Sequence, residues 1–439
     1  MTKQETTNTY GKSVFRPLAL WAMCYALFPL LFALCSLPSP AFAEKIYIDI
    51  TSPGLKRLPI AVQNFTGNNE ISDIVKDDLS FTGLFNCLDD SLQIERPDQP
   101  FNIASWMGLG VELVVKGRVS VFAADKFLVI VSAYDVSDGR EVLKKEYAST
   151  TESARSLAHS ISNDIYTILT GRQGIFKTRI AFVADKRGKK ELQLMDWDGH
   201  RMQESGITAG ILMTTHWSPD KTKLLYSAER QRQWGIYLLD INTLKERNLM
   251  LMNGMNIAGN FSPNSREFVF SSSKDVNSGI YIADLGHVSG RKIISSPWID
   301  VSPSVSPDGK SIVFVSNRSG NPQIYIVDRD GYGLRRLTFQ GNYNTSPAWS
   351  PQGDKIAYTS MIGGKNQIFV IKADGSGPTQ LTDRGNNENP SFAPDGRYLT
   401  FSSTMDGSKG VYLIRINGDG IVRITPKNLK ALNPSWSPM

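Results

Sequence analysis

A short motif that returns every 43 or 44 residues constrains this chain more than any other feature of its sequence. In the motif, an aromatic or β-branched residue is followed by Ser or Ala and then by Pro. The motif begins at Trp217, Phe261, Val305, Trp349, Phe392 and Trp436. Repeats of this length are typical of proteins built from stacked or radially arranged units. We therefore expect the second half of the chain to be a repeat domain.

One repeat contains the segments of four short strands. After the motif at Trp349, the runs at 355–360, 367–371 and 380–382 are rich in β-branched and aromatic residues, and glycine-bearing turns separate them. This composition favours strands over helices. Four strands in about 44 residues are typical of one blade of a β-propeller.

The two ends of the repeat array complement each other. Residues 179–199 resemble the later strands of a blade, but no motif precedes them, and the chain stops at Trp436-Ser437-Pro438-Met439, a first strand with no blade after it. If the carboxyl-terminal strand pairs with the strand that starts near 179, the ring closes and both sheet edges are covered. The sequence therefore predicts a six-bladed propeller over residues 178–439.

The first 43 residues have the build of a cleavable secretory signal. Three basic residues precede an uncharged run at 18–37, and the segment ends in Ala41-Phe42-Ala43. Cleavage there gives a mature chain from Glu44 with a net charge of +4 and a single cysteine, Cys87, so no internal disulfide is expected. An uncleaved membrane anchor is the alternative, since about twenty uncharged residues can span a bilayer.

Residues 44–171 are predicted to form a compact α/β domain, joined to the propeller by a linker at 172–177. Its strand-like runs are 46–50, 59–62, 111–121 and 127–136, and helical spacing occurs at 71–82. A second helix is expected to open at a capping box formed by Ser149 and Glu152 and to stop at Gly171. The predicted fold is thus an α/β amino-terminal domain followed by an all-β six-bladed propeller closed by the carboxyl-terminal strand.

The sequence gives little support for catalysis or nucleic-acid binding. The net charge of +6 is spread over 439 residues without a block of five like charges, whereas nucleic-acid binding requires clustered cations. No G-x-S-x-G nucleophile motif is present, and the D-x-D-G segments at 196–199 and 328–331 are interpreted as turns rather than calcium sites. No metal-ligand spacing links the four histidines, which are His159, His200, His216 and His287. We expect no catalytic residue, no metal and no cofactor.

The central channel of the propeller is the surface left for binding. Because the innermost strand of each blade lines the channel, the position three residues before each motif is expected to form a sixfold ring of small and polar residues. This ring consists of Thr214, Ala258, Ser302, Ser346, Asn389 and Asn433. It could admit a loop or side chains of a protein partner; the alternative is a ring that only solvates the pore.

Three segments of the amino-terminal domain and the repeats together resemble a known family. The segments are Glu44-Lys45-Ile46-Tyr47-Ile48-Asp49-Ile50, the DLSFTGLF stretch at 78–85 and the GVELVVKG stretch at 110–117. With an export signal and six repeats, the mature chain resembles the TolB family, periplasmic components of the Tol-Pal envelope system of Gram-negative bacteria. It departs from the family pattern at 81–83, where a Ser-Gly pair is common, and at Val305 and Phe392, which replace Trp.

The resemblance implies a non-enzymatic periplasmic adaptor that supports outer-membrane integrity and constriction at cell division. In that family, the propeller binds the peptidoglycan-associated lipoprotein Pal at its channel mouth, and the mature amino terminus binds the inner-membrane protein TolA. Carried over, the six-residue ring marks the Pal side. The TolA-binding strand would consist of Glu44, Lys45, Ile46, Tyr47, Ile48, Asp49, Ile50 and Thr51.

The expected partners are therefore Pal, TolA and other envelope proteins, with no nucleic acid, no membrane insertion after signal cleavage, and a monomeric state. Two other functions stay open. One is a periplasmic hydrolase or lyase with its site in the channel, and the other is a module that binds sugar or peptide. A channel enzyme would need converging carboxylates or histidines, and the ring positions carry none.

Overall fold

The structure is a computed structural model that describes residues 56–88, 94–96, 98–275 and 277–439. The predicted signal and the predicted TolA-binding strand, Glu44 to Thr51, lie outside the described residues. No helix within the described ranges is long and apolar enough to cross a membrane. These ranges contain an α/β region followed by a β-propeller.

The α/β region is one mixed sheet with two longer helices that pack on each other. Its strands are β1 (Leu58–Val62), β2 (Phe85–Cys87), β3 (Leu113–Ala123), β4 (Lys126–Asp135) and β5 (Glu141–Thr150). Its helices are α1 (Asn69–Phe81), the short α2 (Ile103–Met107) and α3 (Ala154–Thr170). The strand order is β2-β1-β3-β4-β5, with β1 parallel to both neighbours and the other pairs antiparallel. Along β4, buried residues alternate with more exposed ones, as expected for a strand with one covered face.

The prediction that α3 opens at Ser149 is wrong. Ser149 belongs to β5, its hydroxyl makes only a local bond to a backbone carbonyl, and α3 begins at Ala154 after a 3-10 turn at Thr151–Ser153. The capping sequence does not start a helix here because β5 pairs with β4 along its whole length. This pairing satisfies the backbone N–H and C=O groups of β5. The predicted end is confirmed: Gly171 has a φ of 68° and its N–H donates to the carbonyl of Thr167.

Six four-stranded antiparallel sheets form the propeller. Blade 1 contains β6 (Arg179–Lys186), β7 (Lys189–Asp196), β8 (Gln203–Ala209) and β29 (Lys430–Trp436); blade 2 contains β9 (Ile211–Trp217), β10 (Lys223–Arg230), β11 (Gln233–Asp240) and β12 (Glu246–Leu251); blade 3 contains β13 (Asn256–Phe261), β14 (Glu267–Ser272), β15 (Gly279–Asp284) and β16 (His287–Ile294). Blade 4 contains β17 (Asp300–Val305), β18 (Ser311–Ser316), β19 (Gln323–Asp328) and β20 (Arg335–Arg336); blade 5 contains β21 (Asn344–Trp349), β22 (Lys355–Ile362), β23 (Lys365–Lys372) and β24 (Thr379–Gln380); blade 6 contains β25 (Asn387–Phe392), β26 (Tyr398–Ser403), β27 (Gly410–Arg415) and β28 (Val422–Arg423).

The recurring motif lies where the innermost strand of each blade ends, and its tryptophans contact the preceding blade. The indole Nε1 of Trp217 in blade 2 donates to the carbonyl of Ser435 in blade 1 at 3.0 Å. Trp349 in blade 5 donates in the same way to Ser304 in blade 4 at 3.1 Å. The apolar core correspondingly lies between neighbouring blades. The period of 44 residues is therefore the spacing of successive blade-to-blade contacts.

The carboxyl-terminal strand closes the ring, as the sequence predicts. β29 pairs antiparallel with β6, with Trp436 opposite Ile180 and Leu432 opposite Val183. Beyond the strand, the N–H of Ser437 donates to the carbonyl of Arg179 at 2.8 Å. Blade 1 is thus built from both ends of the propeller sequence.

A bulge interrupts the register of each innermost strand, and the predicted ring residues lie on it. The φ angles are positive at Thr214, Ser302, Ser346, Asn389 and Asn433, between 46° and 55°. A left-handed conformation is unfavourable for residues other than glycine, least so for Asn. In blade 3 the bulge lies after Ala258, at 259–260, so this ring position keeps ordinary backbone.

The carboxyl-terminal end of α1 is one part of the α/β region that contacts the propeller; α3 contacts it as well, through Arg155 and Tyr166. Arg415 of blade 6 donates to the carbonyl of Phe81 at 2.8 Å, and the hydroxyl of Tyr398 donates to the carbonyl of Thr82 at 3.2 Å. The next residue, Gly83, has a φ of 70°, and a Cβ there would lie 2.8 Å from the Arg415 side chain. The DLSFTGLF stretch, which resembles the family, therefore forms part of this interface.

Ring closure can be tested at Trp436, which is 5% exposed and donates its indole N–H to the Thr178 hydroxyl at 2.8 Å. Trp436→Ala is expected to lower the free energy of unfolding by about 3–5 kcal/mol, because it leaves a cavity where the ring closes. Deleting residues 433–439 should also cost several kcal/mol. Trp298→Ala is the matched control, since Trp298 is 45% exposed and should change stability by only about 0.5 kcal/mol. Equal losses for the two tryptophans in urea unfolding would contradict the closure.

The bulge conformation can be tested at Ser302, whose φ is 55°. Ser302→Val is expected to lose about 1–2 kcal/mol of stability, whereas Ser302→Gly is expected to lose little, because glycine adopts this conformation freely. Ala258→Gly in the same ring should instead lose about 0.5–1 kcal/mol, since its backbone is not left-handed. Thermal unfolding of the three variants gives the comparison, and a valine variant as stable as the glycine variant would contradict it.

Candidate functional site

The propeller ring has two unlike faces, because the innermost strands all run in the same direction along the channel. On the turn face these strands end in the W-S-P turns, and the α/β region contacts this face through Phe81 and Thr82. On the opposite face, which we call the mouth face, the innermost strands begin, at residues such as Ile211 and Asn344. A partner that approaches the mouth face meets the strand starts and the loops beside them.

The structure places the predicted ring about halfway along the innermost strands, below the mouth face. Adjacent members in blades 5, 6 and 1 bond to each other: the Ser346 hydroxyl donates to Asn389 Oδ1 at 3.0 Å, and Asn389 Nδ2 donates to Asn433 Oδ1 at 2.6 Å. In blade 2, the Thr214 hydroxyl is buried and has no hydrogen-bond partner among the described residues. Ala258 is buried and offers no polar side chain. The ring residues of blades 5, 6 and 1 are therefore linked by hydrogen bonds, and we call the whole six-residue ring the polar collar.

Exposed apolar side chains surround the mouth over blades 2 to 5. Four of them lie six residues before the motif, at or just before the start of an innermost strand, and are 40–51% exposed: Ile211, Met255, Ile299 and Tyr343. Others at the same ends of the strands are Met213, Leu251, Trp298, Phe339, Met361 and Ile362. We call these ten residues the apolar rim. Apolar patches of this kind mark sites of protein interaction, because water solvates them poorly.

Blades 6 and 1 complete the mouth with polar and charged residues. The positions equivalent to Ile211 are Asn386 and Lys430 in these blades. Beside them, the carboxylate of Glu388 accepts hydrogen bonds from Lys409 Nζ at 2.6 Å and from Asn366 Nδ2 at 3.0 Å. The mouth is therefore apolar on one side and polar on the other.

The apolar rim is a candidate binding surface that the sequence reasoning missed. That reasoning selected the third position before each motif, whereas the sixth position carries the exposed apolar side chains. The repeat does hold a signal: the sixth position is apolar in four consecutive blades, although strand starts normally carry polar turn residues. What the repeat alone could not give is the exposure of these side chains.

Outside the channel, one group of described side chains brings three potential metal ligands together: Asp78 of α1, His159 of α3 and Asp198 of the turn after β7. His159 Nδ1 lies 2.8 Å from Asp78, and His159 Nε2 lies 3.3 Å from Asp198. Each ring nitrogen faces one of the two carboxylates, and the positive charge of Arg155 beside Asp198 disfavours a metal ion there. Arg155 Nε also donates to Asp198 at 2.8 Å. We therefore interpret the group as an ion-pair network.

The other candidates for chemistry lie in turns or are buried. The two D-x-D-G segments are turns, as predicted: the N–H of Gly199 donates to the carbonyl of Asp196 at 3.0 Å, and Gly331 donates to Asp328 at 2.8 Å. Burial lowers the pKa of His216 in β9 to about 4, so its ring is uncharged at neutral pH. These residues support the fold of the blades in which they lie.

Comparison with known proteins gives the family. The model of the TolB amino-terminal domain matches residues 46–142, and the model of the TolB beta propeller domain matches residues 166–439. The chain is 34% identical over 208 residues to the Tol-Pal system protein TolB of Hamiltonella defensa, an alignment that covers 44% of this chain and 48% of the relative. It is 35% identical over 196 residues to the protein of the same name from Geobacter sulfurreducens, covering 42% and 45%. The chain thus spans a little under half the length of the curated relatives it matches.

A solved structure is similar over a larger part of the chain. The crystal structure of TolB from Acinetobacter baumannii superposes with a TM-score of 0.78 and 26% sequence identity, covering 88% of this chain and 97% of that one. The propeller model by itself matches more than half of the present sequence. The chain therefore belongs to the TolB family.

Proposed function

We propose that the protein is a non-enzymatic adaptor of the Tol-Pal system in the periplasm. In this role it links Pal, at the outer membrane and peptidoglycan, to TolA, and it supports outer-membrane integrity and invagination during cell division. Membership of the TolB family supports the assignment. The observation that carries it is the apolar rim on the mouth face.

We infer that the working chain is a monomer that begins at Glu44, after removal of residues 1–43. In this proposal residues 44–171 are the α/β domain, 172–177 the linker and 178–439 the propeller. The signal-like sequence before Glu44 supports export to the periplasm.

Pal is proposed to bind at the mouth face. The apolar rim combines an aromatic anchor, Trp298, with the flexible side chains of Met255 and Met361, and such residues carry much of the binding energy in protein interfaces. A loop of Pal that enters the mouth would contact the rim first and the polar collar below it. The collar is the ring already defined, with Ser302 and Ser346 on its blade 4 and 5 side.

The channel supports a binding role better than a hydrolase or lyase. Glu388, the carboxylate directly before the ring residue Asn389, is already paired with Lys409, and Asn389 is bonded to its neighbours in the ring. A general acid or base needs a free site for the substrate at the reacting proton. A sugar or peptide module would also use the mouth, and a titration with Pal distinguishes that function from the adaptor.

TolA is proposed to bind the segment from Glu44 to Thr51. In this segment Ile46, Ile48 and Ile50 alternate with other residues, so an extended chain would present them on one face. Such a segment can add to an exposed sheet edge of a partner, where backbone hydrogen bonds give affinity and alternate side chains give specificity.

The Pal proposal predicts that Trp298→Ala weakens binding of the soluble domain of Pal. A loss of about 30-fold or more is expected, because a central aromatic anchor contributes about 2 kcal/mol or more. Combined Ser302→Arg and Ser346→Arg substitutions should also weaken binding by obstructing the channel. Tyr332→Ala is the control, since Tyr332 is 76% exposed on the turn face. Unchanged affinity of the Trp298 variant in calorimetric titration would argue against the rim.

The TolA proposal predicts that a mature chain lacking residues 44–50 no longer binds TolA but still binds Pal. Ile48→Asp should weaken the TolA contact as well, because it places a charge on the apolar face, whereas Asp49→Asn should have little effect. Pull-down with the periplasmic part of TolA measures the loss, and the Pal titration verifies that the propeller is intact. Retained TolA binding after the deletion would move the contact elsewhere on the chain.

A further inference from the structure

A partly buried network of charged side chains joins the α/β region to the propeller at the turn face. It consists of Asp78 in α1, Arg155 and His159 in α3, and Asp198 in the turn between β7 and β8 of blade 1. His159 and Asp78 are each 2% exposed. We call these four residues the interface bridge.

Both ring nitrogens of His159 face a carboxylate. Nδ1 lies 2.8 Å from Asp78 Oδ2, within the α/β region, and Nε2 lies 3.3 Å from Asp198 Oδ2, across the interface. A neutral imidazole has one N–H donor and one acceptor, and a carboxylate can only accept. A neutral ring would therefore direct a lone pair at one of the two carboxylates, whereas a protonated ring places an N–H donor toward Asp78 and its positively charged ring within 3.3 Å of Asp198.

The charges of the bridge balance when His159 is protonated. The positive charges of His159 and Arg155 then match the negative charges of Asp78 and Asp198, which is the arrangement that buried charges require. The charged groups that face His159 and its partners from the packed elements are Asp77 and Asp78 on α1, Arg155 on α3, and Asp196, Asp198 and Arg201 on blade 1.

Aromatic rings cover the histidine side of the bridge. The ring of Trp197, next to Asp198, lies 6.1 Å from the imidazole of His159 and 4.9 Å from the ring of Phe81. Trp197 is 3% exposed. Low local polarity strengthens each charge interaction and raises the cost of leaving one unpaired.

We propose that His159 is a proton-dependent link between the α/β region and the propeller, which keeps the two parts attached as long as its ring is protonated. Loss of the proton would leave Asp78 and Asp198 near each other with Arg155 as the remaining cation of the bridge. The attachment is therefore strong near neutral pH and weakens in alkaline solution. The inference is independent of which partners bind the mouth face.

The pKa shifts agree in sign with this geometry. Burial alone would lower the pKa of His159, but its interactions with the Asp198 and Asp78 carboxylates outweigh this effect and raise the pKa from 6.5 to about 9. The stabilisation by His159 is thus complete below pH 6.5 and is lost as the pH rises through about 9. Burial would raise the pKa of Asp198, yet hydrogen bonds and charges from His159 and Arg155 hold it well below its usual range. Burial raises the pKa of Asp78, and the charge on His159 offsets part of that cost.

Titration of the histidine ring protons by NMR tests the proposal on the full chain without any substitution. Between pH 5.5 and 10, one histidine resonance is expected to titrate with a midpoint at about pH 9, and this resonance should be missing in His159→Gln. His200→Gln is the matched control, because His200 is exposed in the same turn, and it should retain the resonance. Asp198→Asn should move the midpoint to lower pH, and it assigns the resonance if His159→Gln does not fold.

A second measurement tests whether protonation of His159 stabilises the attachment of the α/β region to the propeller. The thermal midpoint of the unaltered protein is expected to fall between pH 6.5 and 9 by more than that of His159→Gln. The proposal is wrong if all histidines lose their protons below pH 8, if the late-titrating resonance survives in His159→Gln, or if the two pH profiles of stability are parallel. A shift of the His159 resonance on adding one equivalent of Zn²⁺ would also overturn it, in favour of a metal site.

Discussion

The pairing of β29 with β6 is the interaction on which the rest of the structure depends. A propeller blade buries its apolar faces only against its two neighbours, so an open array leaves unpaired sheet edges at both ends. By supplying the innermost strand of blade 1 from the end of the chain, the fold covers both edges. The channel and its mouth exist only because this pairing places the first blade beside the sixth.

The α/β region lies across the same closure. The end of α1 contacts Arg415 and Tyr398 in blade 6, and it also contacts Trp197 in blade 1. Tyr398 in turn lies 6.4 Å from Trp436 of the closing strand. The interface bridge through His159 thus fastens the α/β region to the blade that the carboxyl terminus completes. The α/β region therefore contacts both the first and the sixth blade, where the ring closes.

At the mouth face the backbone repeats regularly from blade to blade, but the side chains do not. Six similar strands begin there, but apolar side chains predominate on blades 2 to 5, and polar or charged ones on blades 6 and 1. For the partner proposed to bind there, this asymmetry would favour one orientation on a nearly symmetric ring. The ring residues inside the channel also have a structural role. Those with a left-handed backbone conformation form the bulges of the innermost strands.

The sequence repeat by itself was enough to predict the fold of the larger domain. The 44-residue period, the incomplete blade at 179 and the isolated motif at Trp436 were sufficient to predict six blades and their closure, because each blade is a local unit whose contacts recur. Local signals were less reliable where longer-range pairing competed with them. Ser149 has the sequence of a helix cap, yet it lies in β5 because pairing with β4 satisfies more of its backbone.

Only the tertiary structure decided which side chains meet or remain exposed. Asp78, His159 and Asp198 are separated by 81 and 39 residues, and no sequence pattern indicates that α1, α3 and a turn of blade 1 bring them together. Likewise, Ile211 and Met255 are of residue types that usually lie in a protein core, but both are exposed on the mouth face. Period and composition specify the local elements, whereas burial and charge pairing depend on how distant elements pack.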